Sequence, residues 1–183
     1  MTIANLLTGA RILAVPVFLV LVLSHYYLLA LVLFFLAGVS DIIDGAIARF
    51  YNQKSRLGSF LDPIADKLLI SSSFIVLAIV GLVPIWMMAL VLARDLVILA
   101  GVLFLFFASK EFNLEPSMWG KVATAAQCSL IFLVLAAVGG WEITFLTAIA
   151  STATVLTTII SGLLYVSLGV KVFQGTGRGV IPF

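Results

Sequence analysis

Charge is what this chain has least of. Only 10% of its 183 residues are Asp, Glu, Lys or Arg, against roughly a quarter in a soluble domain. A chain so poor in charge has no means of covering itself with a hydrated surface, which excludes a soluble enzyme and a disordered tail. Cysteine is nearly absent too. Cys128 stands alone, so an intrachain disulfide framework is excluded. His25 is the only histidine, and it falls in the turn Ser24-His25-Tyr26-Tyr27 after the first apolar run, far in sequence from Cys128. The net charge of +2 is small and its basic residues are dispersed, which gives no footprint for nucleic acid.

What is abundant is apolar. Hydrophobic residues make up 63% of the chain, and the mean hydropathy is +1.29. This composition describes an all-α integral membrane protein with several crossings. About 20 apolar residues carry a helix through the hydrocarbon, and six runs fit, at about 10–23, 27–48, 60–82, 85–108, 120–138 and 143–172. Arg11 before the first run resembles a signal-peptide start, but no small-x-small cleavage site follows, so the run is expected to be retained. Residues 1–8 are mildly amphipathic and are expected to form a short interfacial helix ahead of the first span. The spans make one membrane domain over 1–173, and the glycine-rich stretch 174–183 reads as a flexible tail.

Basic residues orient the helices. Arg11, Arg49, Lys54, Arg56, Lys110, Lys121, Lys171 and Arg178 all fall on one side of the alternation, whereas the opposite turns hold only His25 and Glu142. Since Lys and Arg collect on the cytoplasmic side, both termini are expected there. Tyr26, Tyr27, Trp86 and Trp141 lie where an outer aromatic belt belongs.

Against this background four carboxylates stand out. Asp41 and Asp44 lie near the cytoplasmic end of the second run, and Asp62 and Asp66 near the start of the third. Spacings of three and four put each pair on one helical face. The intervening segment 49–58 is short enough to make the two helices antiparallel neighbours, so the carboxylates converge. Each acid at the centre of a span costs about 2.5–3.5 kcal/mol, less near the interface, and four together demand a counter-charge. Arg49, Arg56 and Lys67 supply part of it. An all-oxygen donor set also suits Mg²⁺ or Mn²⁺. Solvated carboxylates at helix ends are the plainer reading. Gly45, Ala46, Ala48 and Gly58 beside the acids either permit close helix packing or leave room for a flat ligand.

In full the pattern is Asp41-x2-Asp44-Gly45-x2-Ala48-Arg49-x8-Gly58-x3-Asp62-x3-Asp66. It resembles the signature of the CDP-alcohol phosphatidyltransferase family, with every fixed position filled. The wider similarity reaches from Asn5-Leu6-Leu7-Thr8 and Arg11 to Lys121 and Gln127. The resemblance implies a six-helix fold with cytoplasmic termini, in a bacterial-type inner or plasma membrane with the active site on the cytoplasmic side. It implies transfer of a phosphatidyl group from CDP-diacylglycerol to an alcohol, with release of CMP. By the same resemblance Asp41, Asp44 and Asp62 would ligate one or two divalent ions, and Asp66 would complete the metal site and act as general base. Asp41, Gly45, Ala48, Arg49 and Gly58, with Asn5 and Thr8, would bind CDP. Family members are commonly homodimers.

The acceptor is read from the basic residues of the fourth and fifth helices. Arg94 sits beside Asp95 within the fourth run, where an intramembrane Arg is either a functional group or half of a structural pair. Lys121 opens the fifth, to hold a phosphate or to snorkel as an anchor, and Arg56 is a further candidate for a phosphate. The branch of the family that takes glycerol 3-phosphate carries two more basic residues, at positions occupied here by Val102 and Ala123. A small dianion would lose two charge-assisted contacts of about 1.5–3 kcal/mol each. Arg94-Asp95 and Pro116-Ser117…Gly120-Lys121 look more like the branch that accepts phosphatidylglycerol and forms cardiolipin. Two other classes compete: an ion-coupled transporter, whose carboxylates belong nearer the midplane and between repeats, and a structural membrane protein, which has no use for four converging acids.

Overall fold

The computed structural model describes residues 3–50, 56–107, 113–115, 118–173 and 180–182, with side chains described over 12–40, 67–101 and 118–167. Six helices run α1 Ile3–Leu23, α2 Tyr27–Phe50, α3 Arg56–Ile79, α4 Ile85–Phe107, α5 Met118–Val138 and α6 Thr144–Phe173. Each apolar run has become one helix, and apart from the start of α1, seven residues before the expected 10, the ends agree with the sequence reading to within a few residues.

Two differences are informative. The separate interfacial helix expected over 1–8 is not a separate element, because residues from Ile3 onward belong to α1 without a break. Gly9 is the one weak point there, and a single glycine costs a helix only about 1 kcal/mol. Pro16 is likewise accommodated inside α1. The second difference lies in strands. Asn113–Glu115 (β1) pairs in parallel with Val180–Pro182 (β2), Asn113 opposite Val180. Three-residue strands give no alternating pattern long enough to read from sequence.

Of the described residues, Met118–Val138 and Thr144–Ser167 are both long and apolar enough to cross a membrane, with mean hydropathy 1.9 and 1.7. Ile12–Leu23, Tyr27–Ser40 and Lys67–Ile79 are shorter apolar stretches of α1, α2 and α3. Large apolar side chains face outward, among them Leu13, Val20, Ile79, Leu96, Phe145 and Leu163. That is the surface a lipid-facing helix presents.

The chain divides into two compact units. The first comprises Met1–Val83 and Ile131–Ile143. In it α1 packs against both α2 and α3, and Phe18, Val22, Phe34, Phe74 and Leu77 are buried. The rings of Phe18 and Phe34 meet at 5.9 Å, and those of Phe35 and Phe132 at 6.1 Å.

Three helices of this unit end in the same way. Tyr26 N donates to the Leu21 carbonyl and His25 N to Val22; Leu82 N donates to Leu77 and Gly81 N to Ala78; Trp141 N donates to Ala136 and Gly140 N to Ala137. Each is a Schellman cap, which satisfies carbonyls that water would otherwise have to solvate. The pivot needs positive φ. Gly81 (82°) and Gly140 (105°) supply it freely, and His25 (62°) takes it as a non-glycine residue.

The second unit comprises Pro84–Leu130 and Thr144–Phe183. The Pro84 carbonyl receives Met87 N and Met88 N at the start of α4. In this unit α4 packs against α6.

Candidate functional site

The four acids belong to the first unit. Asp41 and Asp44 stand on α2, Asp62 and Asp66 on α3, and both helices pack on α1. The segment between them is shorter than sequence suggested, since α2 runs to Phe50 and α3 begins at Arg56. The side chains of Asp41, Asp44, Asp62 and Asp66 lie outside the described residues. So do those of Asn5, Thr8, Gly45, Ala48, Arg49, Arg56 and Gly58. Among the described residues no three His, Cys, Asp or Glu side chains gather closely enough to hold a metal. The donor chemistry nevertheless fits a hard cation: four carboxylates, from two helices of one unit, with no sulfur or imidazole among them.

In the second unit the side chains of the acceptor candidates are described, save for Arg56 of the first unit. Arg94 lies well inside α4, nine residues from its start, or about 14 Å along the axis. It is 7% exposed. Burying a guanidinium is costly unless it is paired and hydrogen-bonded, and this one is both. Nη1 donates to Asp95 Oδ1 at 2.7 Å, while Nη2 and Nε donate to Ser161 Oγ at 2.9 and 3.3 Å. The Tyr165 ring lies 5.9 Å from Arg94 Cζ, within cation–π range. Gly162 lies beside the stem, where a Cβ would make ordinary van der Waals contact with Arg94 Cγ at 3.8 Å. The Arg94–Asp95 pair weighed from the sequence is therefore present, and it is part of a larger arrangement that reaches α6.

Lys121 is exposed on the first turns of α5. Beyond it the helix turns polar groups inward. Thr124 Oγ1 donates to the Gly120 carbonyl at 3.1 Å, and buried Gln127 donates from Nε2 to Thr158 Oγ1 at 3.4 Å. Thr154 Oγ1 donates to the Ala126 carbonyl at 3.1 Å. Ala123 is completely buried, whereas the Val102 side chain lies outside the described residues.

Sequence reasoning missed the contribution of α6. Thr154, Thr158, Ser161 and Tyr165 recur at spacings of four, three and four, so they share one face of α6, whose other hydroxyls after Thr144 bond back to its own carbonyls. Thr154, Thr158 and Ser161 are all buried. That stripe was the available signal. Its partner Arg94 was invisible because it lies 67 residues from Ser161.

Comparison with known proteins places these features in context. A family model described as CDP-alcohol phosphatidyltransferase matches residues 1–163, which covers parts of both units. Over 152 residues the chain is 40% identical to a cardiolipin synthase (CMP-forming) of Rattus norvegicus, covering 74% of this chain and 50% of that protein. Over 179 residues it is 34% identical to a probable phosphatidylglycerophosphate synthase of Mycobacterium tuberculosis, covering 94% of this chain and 83% of that protein. A CDP-diacylglycerol--glycerol-3-phosphate 3-phosphatidyltransferase of Bacillus subtilis is 32% identical, with coverage of 72% and 75%. The chain spans about half the length of the animal cardiolipin synthases it matches.

Proposed function

The chain belongs to the CDP-alcohol phosphatidyltransferase family, and from that premise we propose that it transfers a phosphatidyl group from CDP-diacylglycerol to an acceptor hydroxyl, releasing CMP. The observation that carries this reading is the full set of carboxylate positions on two helices of one unit, α2 and α3. An ion-coupled transporter gains no support from the family or from the relatives.

All six helices are proposed to cross the membrane as one domain over 1–173, with both termini and the acids on the cytoplasmic side and the enzyme a homodimer. The described turns at 24–26, 80–84 and 139–143 hold no Lys or Arg, which supports that sidedness. Asp41, Asp44, Asp62 and Asp66 would hold Mg²⁺ or Mn²⁺, one or two ions. When bound, such ions neutralise charge on the diphosphate and favour departure of CMP. Asn5, Thr8, Gly45, Ala48, Arg49 and Gly58 bind the CDP portion. A carboxylate oxygen of Asp66 takes the proton of the acceptor hydroxyl. The freed oxygen attacks the phosphatidyl phosphorus, and the bond from that phosphorus to the bridging oxygen breaks, so that CMP leaves with the electron pair. His25 is proposed to lie on the side opposite the acids, where it serves no nucleophile of this site, so the transfer is a single displacement, and inversion at phosphorus is expected. Retention would overturn that step.

The acceptor carries a phosphate, and Arg94 and Lys121, with Arg56, are the groups to receive it. Phosphatidylglycerol is the favoured acceptor. Val102 and Ala123 provide no basic groups for a free dianion, and Ala123 is buried against its surroundings. Glycerol 3-phosphate is the alternative, favoured by the match of 94% of the chain to the probable phosphatidylglycerophosphate synthase.

Purified protein given labelled CDP-diacylglycerol, with either acceptor in parallel, tests both levels. Metal-dependent CMP release that stops with a chelator and returns with Mg²⁺ or Mn²⁺ is expected, with cardiolipin formed from phosphatidylglycerol. Phosphatidylglycerophosphate as the only product would retain the reaction and reverse the acceptor. No CMP release with either would overturn the proposal for both.

A further inference from the structure

Nine serine and threonine side chains on the described helices follow one habit. Ser72, Ser73, Thr124, Ser129, Thr147, Ser151, Thr152, Thr157 and Ser167 each donate to a carbonyl three or four residues back. That is how a hydroxyl hides its polarity in an apolar helix. Ser161 departs from it, as does buried Thr158, whose oxygen receives Gln127 Nε2. The Ser161 oxygen accepts two bonds from Arg94, and among the described residues its hydroxyl hydrogen meets no carbonyl, although the side chain is wholly buried. A buried donor without an acceptor costs about 1–3 kcal/mol, so its retention calls for a ligand.

Arg94 is in the same condition. Of the five N–H groups of a guanidinium, three are engaged, by Ser161 and Asp95. Asp95 and Ser161 grip the group from α4 and α6 and leave it little freedom to turn. Among the described residues, two guanidinium N–H groups and the Ser161 hydroxyl hydrogen are therefore left without an acceptor. Donors of this kind beside a paired guanidinium suit an oxyanion, and a phosphate above all.

We propose that Ser161 is a specificity-determining residue of the acceptor site: its oxygen positions Arg94, and its hydroxyl hydrogen is offered, beside the two remaining guanidinium N–H groups, to the phosphate of the acceptor. This rests on the reading of Arg94 as an acceptor-phosphate residue. The phosphate is the shared chemistry of a lipid phosphodiester and of glycerol 3-phosphate, and the two sources are separated by assaying both.

The test is steady-state kinetics of the full chain, varying CDP-diacylglycerol and the acceptor in turn, for wild type, Ser161→Ala, Ser161→Thr and Arg94→Lys. Ser161→Ala should raise the acceptor KM roughly tenfold, the loss of one charge-assisted contact. The KM for CDP-diacylglycerol should stay unchanged, and Ser161→Thr, which keeps the hydroxyl, should recover most of the loss. A raised KM for phosphatidylglycerol identifies the phosphodiester as the ligand, and one for glycerol 3-phosphate identifies the monoester. If Arg94→Lys raises the acceptor KM and Ser161→Ala does not, the inference about Ser161 fails while the Arg94 reading stands. If neither variant moves the acceptor KM, the Arg94 reading fails first. If Ser161→Ala worsens both KM values equally, Ser161 is structural and the proposal is overturned.

Discussion

The two units solve the problem of packing helices in opposite ways. In the first, the described interior is almost wholly apolar: Phe18, Phe34, Phe74 and Leu77 fill it, and the one buried polar side chain described there, Ser73, turns its hydroxyl onto the Leu69 carbonyl at 2.7 Å. In the second, Arg94, Gln127, Thr154, Thr158 and Ser161 are all buried. Helices in lipid gain little from excluding apolar surface, because lipid is as apolar as the core. Close packing and capped ends suffice to hold the first unit. The second retains polar groups whose burial is expensive, and expense of that kind points to use. The chemistry proposed for the first unit is assigned to Asp41, Asp44, Asp62 and Asp66 of α2 and α3, which leaves its described interior free to be plain.

The largest effect expected is on the acids. Asp66→Asn keeps the shape of the side chain and removes its basicity, and turnover should fall by about 10²–10⁴-fold, the usual worth of a general base. Binding of CDP-diacylglycerol, measured separately, should persist. Full activity would remove Asp66 from the role of base and break the assignment of the chemistry to the first unit.

Next in size is Arg94→Ala, which takes from Asp95 its 2.7 Å partner. Breaking a buried pair costs about 3–5 kcal/mol, so the variant should unfold at markedly lower temperature or denaturant. Replacing both residues, as Arg94→Met with Asp95→Asn, should restore much of that stability and none of the acceptor use. Phe74→Ala makes the matching cut in the first unit. Its cost should be smaller, about 1–3 kcal/mol, because part of the 3–5 kcal/mol seen in water-soluble cores is transfer from water, and that share is reduced in lipid. Should Phe74→Ala cost more than Arg94→Ala, the contrast between the units is wrong.

The same contrast explains what sequence made legible. The helices were readable because long apolar runs are visible in composition: α4 and α6, expected over 85–108 and 143–172, formed at Ile85–Phe107 and Thr144–Phe173. The acid pattern was legible as spacing because its residues are close in sequence, and its positions fall on α2 and α3 as expected, while the side chains lie outside the described residues. The grip of Ser161 on Arg94 was not legible, since a contact between α4 and α6 leaves no local trace in either. Nor was the pairing of Asn113–Glu115 with Val180–Pro182, which joins two stretches without a strand pattern of their own. The interfacial helix was over-read: amphipathic character over 1–8 indicates a surface, but it does not end a helix, and α1 continues through it.

The smallest effect sharpens the comparison most. Thr158→Val removes the hydroxyl that receives Gln127 Nε2 at 3.4 Å and keeps the volume of the side chain. Hydrogen bonds between membrane helices average only about 0.6 kcal/mol, since the unfolded chain in lipid also finds partners. At 3.4 Å this one should fall at or below that value, a shift barely measurable in an unfolding curve. Such a result would mean that the row Gln127, Thr154 and Thr158 is not there to hold α5 and α6 together, since Val or Leu would serve as well. The row would then be the continuation of the acceptor site beyond Ser161, and Thr158→Val should alter acceptor KM more than it alters stability. A loss of several kcal/mol would say the reverse: the second unit would be stapled by its polar row, and its difference from the first would be architectural.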